Sequence, residues 1–155
     1  MLSSFLHCSI SVQEQAINVA DEYTALADCD TDCANGALCF FAGTVRGGAV
    51  QAMTLEHYPG MTEQALATIA ENACQRWQLA GVRIVHRVGR LLPREVIVFV
   101  GVQSAHRVAA FAACQYIADF LKTQAPFWKK EETSQGSRWV SACDEDEAAR
   151  QRWQE

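Results

Sequence analysis

Two groups of basic residues bracket one segment, SAHRVAAFAACQYIADFLKTQAPFWKKEE, which runs from Ser104 to Glu132. His106 and Arg107 follow Ser104, a residue type that caps helix N-termini, so they fall in the first turn of the helix that the apolar spacing downstream predicts. Unpaired backbone N–H groups and the helix dipole already make that turn electropositive. Two more basic side chains there oppose helix formation unless an anion sits among them, and a helix N-terminus flanked by Arg is a ready phosphate site. At the far end stand Lys122, Lys129 and Lys130, around an Ala-Pro-Phe-Trp stretch whose Phe127 and Trp128 make an apolar wall. A solvated face is the usual fate of lysines, but lysines crowded beside apolar surface can have lowered pKa values and do acid–base or nucleophilic work.

A third cation stands in GTVRGG, where Arg46 ends an apolar run. The segment is not a P-loop, since no Lys-Ser or Lys-Thr follows the glycines, yet a guanidinium at a strand end can clamp a phosphate. A hairpin turn carrying an exposed Arg is the equally good structural reading. His57 and His86 lie within strand patterns and have no partners at metal-ligand spacing, so they read as satisfied or solvated histidines. Cys29, Cys33 and Cys39 suggest zinc or a sulfur-carrying thiol, but the short paired spacing and the fourth ligand of a structural zinc site are missing. No metal or cofactor is expected.

These side chains need elements to hold them. Residues Ser11 to Leu26 read as a first helix, followed by a polar turn ending at Gly36. ALCFFAGTV is a strand-like run broken by Gly47 and Gly48, and QAMTLEHY is a second strand turned by Pro59 and Gly60. Leu66, Ile69, Ala70, Ala73 and Trp77 recur at helical spacing from about Thr62 onward. VRIVHRVGRL and EVIVFVGVQ are two strands separated at Pro93, and the second feeds the helix after Ser104. That helix is apolar nearly all round, which predicts a central, buried position, and Pro126 ends it. FWKKEE and SRWVSA pair antiparallel around Gln135-Gly136, and DEDEAARQRWQE closes the chain as a helix. Strands in runs, mixed with helices, mean α+β.

With 155 residues, 50% hydrophobic and 20% charged, the whole chain from 1 to 155 reads as one domain. A net charge of -5 and a pI near 5.3 argue against general nucleic-acid binding, so an anion site must be local and its ligand small. No stretch approaches the roughly 18 apolar residues of a membrane span, and the opening segment lacks the charged and apolar regions of a signal peptide. Seven scattered cysteines suit reduced thiols. A cytoplasmic protein that touches neither membrane nor nucleic acid is expected.

GTVR, LEHYPGMTE, VGVQSAHR and FLKTQAPFWKKEE, in that order and at these separations, closely resemble the large, catalytic subunit of molybdopterin synthase. The resemblance runs from about Gly36 to Val140, and residues before Asn35 and after Ala142 carry little of it. It implies an α/β hammerhead-type fold with an additional antiparallel β subdomain. It also implies a sulfur transferase of molybdenum cofactor biosynthesis that converts cyclic pyranopterin monophosphate (precursor Z) to molybdopterin. The implied partner is a small ubiquitin-like subunit whose C-terminal Gly-Gly thiocarboxylate carries the sulfur, in a heterotetramer built on a homodimer of large subunits. Carried over by motif, the substrate-binding positions are Thr44, Val45, Arg46, His106, Arg107, Lys122, Lys129, Lys130 and Glu131, with Lys122 and Lys129 catalytic. After Arg46 the chain passes through only Gly47, Gly48 and Ala49, where the family usually has a longer polar loop. Two other classes stand beside this one: an enzyme using its own cysteine as sulfur carrier, and a non-catalytic module binding a small anion or a ubiquitin-like tail.

One constraint follows from helix geometry alone. His106 and Lys122 are sixteen positions apart on one predicted helix, which puts their Cα atoms roughly 24 Å apart. No pterin bridges that span, and nothing between Arg107 and Leu121 is Pro or Gly to break the helix. A homodimer with two composite sites, each taking His106 and Arg107 from one subunit and Lys122 and Lys129 from the other, resolves the conflict.

Overall fold

The computed structural model describes residues 7–140 and 144–154. The elements in chain order are β1 (His7–Gln13), α1 (Val19–Ala27), β2 (Ala37–Thr44), β3 (Val50–His57), α2 (Met61–Trp77), β4 (Gly81–Arg87), β5 (Gly89–Leu91), β6 (Val96–Ser104), α3 (Arg107–Gln124), β7 (Phe127–Thr133), β8 (Gly136–Val140) and α4 (Asp144–Gln151). The expected last strand reaches Val140; its Ser141 and Ala142 lie outside the described residues.

Two four-stranded sheets organise the chain, in the orders β1-β4-β6-β2 and β5-β3-β7-β8. The first is mixed, with β1 parallel to β4 and the other pairs antiparallel. Helices α2 and α3 cover one of its faces, where Leu66, Ile69, Ala113 and Ile117 close over Ile84, Val98 and Val100. On the other face α1 brings Leu26 against Gly101, where an added Cβ would stand 2.7 Å from the Leu26 Cδ2 and 2.8 Å from the Phe99 ring. That close approach requires glycine in the middle of β6. The second sheet is antiparallel and holds Met53, Leu55 and Leu91 in a smaller core shared with Val45.

Four expectations need correction. The first helix does not begin at Ser11: residues 7–13 form β1, in register with β4 from His7↔Gly81 to Gln13↔Arg87. Ile10 and Val12 alternate with Ser9 and Ser11, a period of two, and pack against the main core. The helix starts later, capped by Asn18, whose side chain accepts from the Asp21 N–H at 3.2 Å. Ser104 is likewise no cap. It is the buried last residue of β6, paired with Ala37, and His106 takes the N-cap position with extended backbone and no side-chain capping bond.

The third correction concerns α3, which is not buried all round. Ala110, Ala113, Cys114, Ile117 and Leu121 face the sheet, while Val108 and Phe111 are 73% and 65% exposed. The helix lies on the outside of a sheet, so a single side is covered. The strand expected over VRIVHRVGRL also divides: Gly89 adopts φ +88, and β5 leaves the first sheet to pair with β3 in the second. The remaining elements lie where the sequence places them, within a few residues.

Candidate functional site

Lys122 stands in the last turn of α3, where the negative end of the helix dipole favours an ammonium group. Lys129 lies on β7, opposite Leu55 of β3. Strand alternation puts Phe127, Lys129 and Glu131 on one face of the second sheet and Trp128, Lys130 and Glu132 on the other. The inner face and the end of α3 enclose a cavity of about 260 Å³. Lys122, Lys129, His86 and Asp146 supply its polar side chains, and Met53, Leu55, Ile97, Leu121, Ala125, Phe127 and Val140 its apolar lining. That volume lies just under the roughly 300 to 1,000 Å³ of ordinary small-molecule sites, room for the reacting end of a ligand and not for all of it.

The other sequence-derived positions distribute around this cavity. Val45 is buried with Met53, Leu55 and Ile97, three residues that line it, which anchors Arg46 at the same end of the molecule with its side chain exposed. Thr44, exposed, ends β2 opposite Val96. Glu131 faces inward beside Met53 but is held by Arg138, Oε2 to Nη2 at 3.4 Å, and does not line the cavity. Lys130 points away: its Nζ lies 5.6 Å from the centre of the Trp139 ring. His106 and Arg107 are exposed at the opposite end of α3, one β6 length away, about 26 Å over the eight steps from Val96 to Ser104. Among the described residues neither makes an ion pair.

His86 is the cavity residue that sequence reasoning assigned to structure alone. It sits at the end of β4, 5% exposed, with Nδ1 2.8 Å from the Arg87 carbonyl oxygen and its ring stacked on Phe127 at 3.9 Å. Burial lowers its pKa to about 4, and the charges of Lys122 and His57 push the same way against the hydrogen bond to Arg87. A neutral imidazole therefore faces two ammonium groups. The signal was present in VRIVHRV, where His86 continues the inward series Val82, Ile84, but its partner Phe127 lies 41 positions on. Asp146 had no signal, since α4 reaches the cavity through packing on α3.

The cysteines lie elsewhere. Among the described residues six are free, none lines this cavity, and no group of three His, Cys, Asp or Glu side chains is placed to hold a metal ion. Burial raises the thiol pKa of Cys8, of Cys74 to about 12, and of Cys114 further still, which disfavours thiolate formation. Cys143 lies outside the described residues.

Fold and cavity together define an α+β protein in which two lysines and a buried histidine converge on one small cavity. The model of one protein family, described as MoaE protein, matches residues 12–124. A molybdopterin synthase catalytic subunit from Yersinia pestis is 53% identical over 148 residues, 93% of this chain and 96% of that protein. The structure of a molybdopterin biosynthesis MoaE protein from Burkholderia ambifaria superposes with a TM-score of 0.81 at 50% identity, covering 94% of this chain and 97% of that one. One subunit of a complex of subunits 1 and 2 of molybdopterin-converting factor from Helicobacter pylori shares the fold, with a TM-score of 0.74 at 16% identity over 85% of this chain and 90% of its own. The chain belongs to the MoaE family. The family match begins at residue 12, well before Asn35, where the motifs alone place the beginning of the likeness, and so takes in α1.

Proposed function

We propose that this chain is the sulfur-transferring catalytic subunit of a molybdopterin synthase, acting on cyclic pyranopterin monophosphate with the thiocarboxylate of a small ubiquitin-like partner. The convergence of Lys122 and Lys129 on one cavity carries the reading, in a chain half identical to molybdopterin synthase catalytic subunits. A thiocarboxylate and a phosphate ester are both anions, and a cavity whose cations are backed by apolar side chains binds them more strongly than open solvent does. The thiocarboxylate sulfur forms a bond to a side-chain carbon of the pterin as the carbon–oxygen bond at that carbon breaks, and a lysine ammonium stabilises the departing oxygen or gives it a proton. Water then cleaves the acyl–sulfur bond, leaving sulfur on the pterin and a carboxylate on the carrier. A second carrier installs the second sulfur.

The same reading extends to assembly. The complex of two converting-factor subunits from Helicobacter pylori supports a small-subunit partner here. The distance between the two ends of α3 supports a homodimer within a heterotetramer, each site pairing His106 and Arg107 of one copy with Arg46, Lys122 and Lys129 of the other. In that pocket Thr44, Val45 and Glu131 border the substrate, and Lys130, turned to the other face of β7, does not. The chain acts as one domain in the cytoplasm, where the free thiols of the described cysteines suit a reducing compartment.

The test is direct: incubate the purified chain with a thiocarboxylated small subunit and the cyclic pyranopterin, and assay for the dithiolene product. No product under conditions in which a Yersinia or Escherichia coli catalytic subunit works overturns the assignment. Against a cysteine-borne sulfur, the described thiols stand outside the cavity. A folded variant with all seven cysteines replaced by serine should still transfer sulfur.

A further inference from the structure

The lysine cavity contains a side chain that the sulfur-transfer chemistry leaves without a task. The carbonyl oxygen of Arg87 can only accept, so the His86 nitrogen 2.8 Å from it, Nδ1, carries the proton and donates. In the neutral ring this leaves Nε2 with a lone pair. Stacking on Phe127, with ring planes 18° apart, and the bond to Arg87 hold that edge of the ring in place.

The rest of the lining explains why such an atom matters. Lys122 and Lys129 are donors only, and the aliphatic side chains and Phe127 are neither donors nor acceptors of ordinary hydrogen bonds. Asp146 can accept, but it carries charge and is already engaged within the protein. Among the described lining side chains His86 is the one uncharged ring or amide acceptor for neutral N–H or O–H groups such as a reduced pterin has, and an unpaired buried donor is costly. A second carboxylate in this place would pair with the lysines and cancel the potential that attracts anions. A protonated imidazole would add a third cation and hold no lone pair. Burial and the charge of Lys122 keep His86 neutral, with a pKa near 4, so the acceptor persists at neutral pH and is lost only as the pH falls toward 4.

We propose that His86 is a substrate-orienting residue whose Nε2 accepts a hydrogen bond from an N–H or O–H of the bound pterin, turning its reacting carbons toward Lys122 and Lys129. This rests on the sulfur-transfer reading above. The residue discriminates between ligands that carry such a donor and anions that do not.

Glutamine and asparagine separate the two ring nitrogens. The His86→Gln side chain reaches as far as Nε2 and restores an acceptor there, whereas His86→Asn replaces Nδ1 and keeps only a donor for the Arg87 carbonyl. His86→Phe keeps the stack with neither nitrogen. Each variant is assayed as the complex with thiocarboxylated small subunit, with cyclic pyranopterin as the varied substrate and circular dichroism and thermal melting to establish folding. The expected result is a KM within about threefold of wild type for His86→Gln and at least tenfold higher for His86→Asn and His86→Phe, with kcat changing less than KM. In the wild-type protein the ¹⁵N signal of Nε2 should move on substrate addition while that of Nδ1 stays in place. Equal KM values for the Gln and Asn variants, or for Gln and Phe if the Asn variant does not fold, overturn the role of His86 while leaving sulfur transfer intact. An unmoved Nε2 signal at saturating substrate overturns it too. A wild-type complex that does not turn over removes the sulfur-transfer reading and this one with it.

Discussion

Mixing two inactive proteins tests the composite site at the level of one number. In His106→Ala the helix-start half of each pocket is lost, and in Lys122→Ala the lysine half is lost. Both positions are exposed, so neither change opens a core cavity and both variants should fold. If subunits exchange freely at equal concentration, half of the dimers are heterodimers. In each heterodimer one pocket combines the two mutant halves, and the other combines the intact lysine end of the first chain with the intact His-Arg end of its mate. Half of the dimers, each with half of its sites, give about one quarter of wild-type activity. A site contained in a single chain gives none, because every chain then carries a defect. The assay is product formation after denaturation and joint refolding of differently tagged parents, with the heterodimer isolated through both tags. Purified heterodimer should reach about half of the wild-type rate. Heterodimers that bind the small subunit yet stay at the parents' activity refute the reasoning, and with it the inference that a span of roughly 24 Å along α3 forces two chains to share a site.

Lys122→Ala and Lys129→Ala should each lower turnover by about 100-fold or more, as removal of a charge from a reacting centre does, with melting temperature close to wild type. Near-normal rates in both would make these lysines bystanders. Arg46→Ala and Arg107→Ala should weaken pyranopterin binding by about 10- to 150-fold, the equivalent of a charge-assisted hydrogen bond worth roughly 1.5 to 3 kcal/mol, measured by equilibrium binding; unchanged affinity in both places the phosphate elsewhere. His86 also predicts a pH dependence of stability. Its folded pKa of about 4 lies below the ordinary 6.5, so the unfolded chain binds the extra proton. Stability is whole above pH 6.5 and falls as pH drops toward 4, by on the order of 3 kcal/mol if the full shift is expressed. His86→Phe should flatten that part of the urea-midpoint profile between pH 7 and 4, and an unaltered profile would show that His86 is protonated in the fold.

Much of this molecule is local in origin. The apolar periods of β2, β3, α2, β6 and the β7–β8 hairpin are written in neighbouring residues, and each element forms within a few positions of where the pattern puts it. The order of motifs carried the family, and the rise per residue of a helix was enough to separate His106 from Lys122. Wherever the outcome depended on distant partners, the sequence was silent or misleading. Residues 7–13 become a strand because β4, more than seventy residues away, offers them an edge, and the helix pattern read across Ser11 has no such competitor in view. Period two sets Lys129 and Lys130 on opposite faces, but which face meets α3 is decided by the pairing of β7 with β3. The apolar surface of α3 exceeds what one sheet can cover, so Val108 and Phe111 remain outside. His86 was legible as a strand residue, satisfied or solvated, and illegible as a buried cavity residue, because its neighbours Phe127 and Lys122 arrive from other elements. Sequence dictates what a segment can form through backbone preference and hydrophobic period; contacts between segments decide what each side chain faces, and the chemistry of this site lies in those contacts.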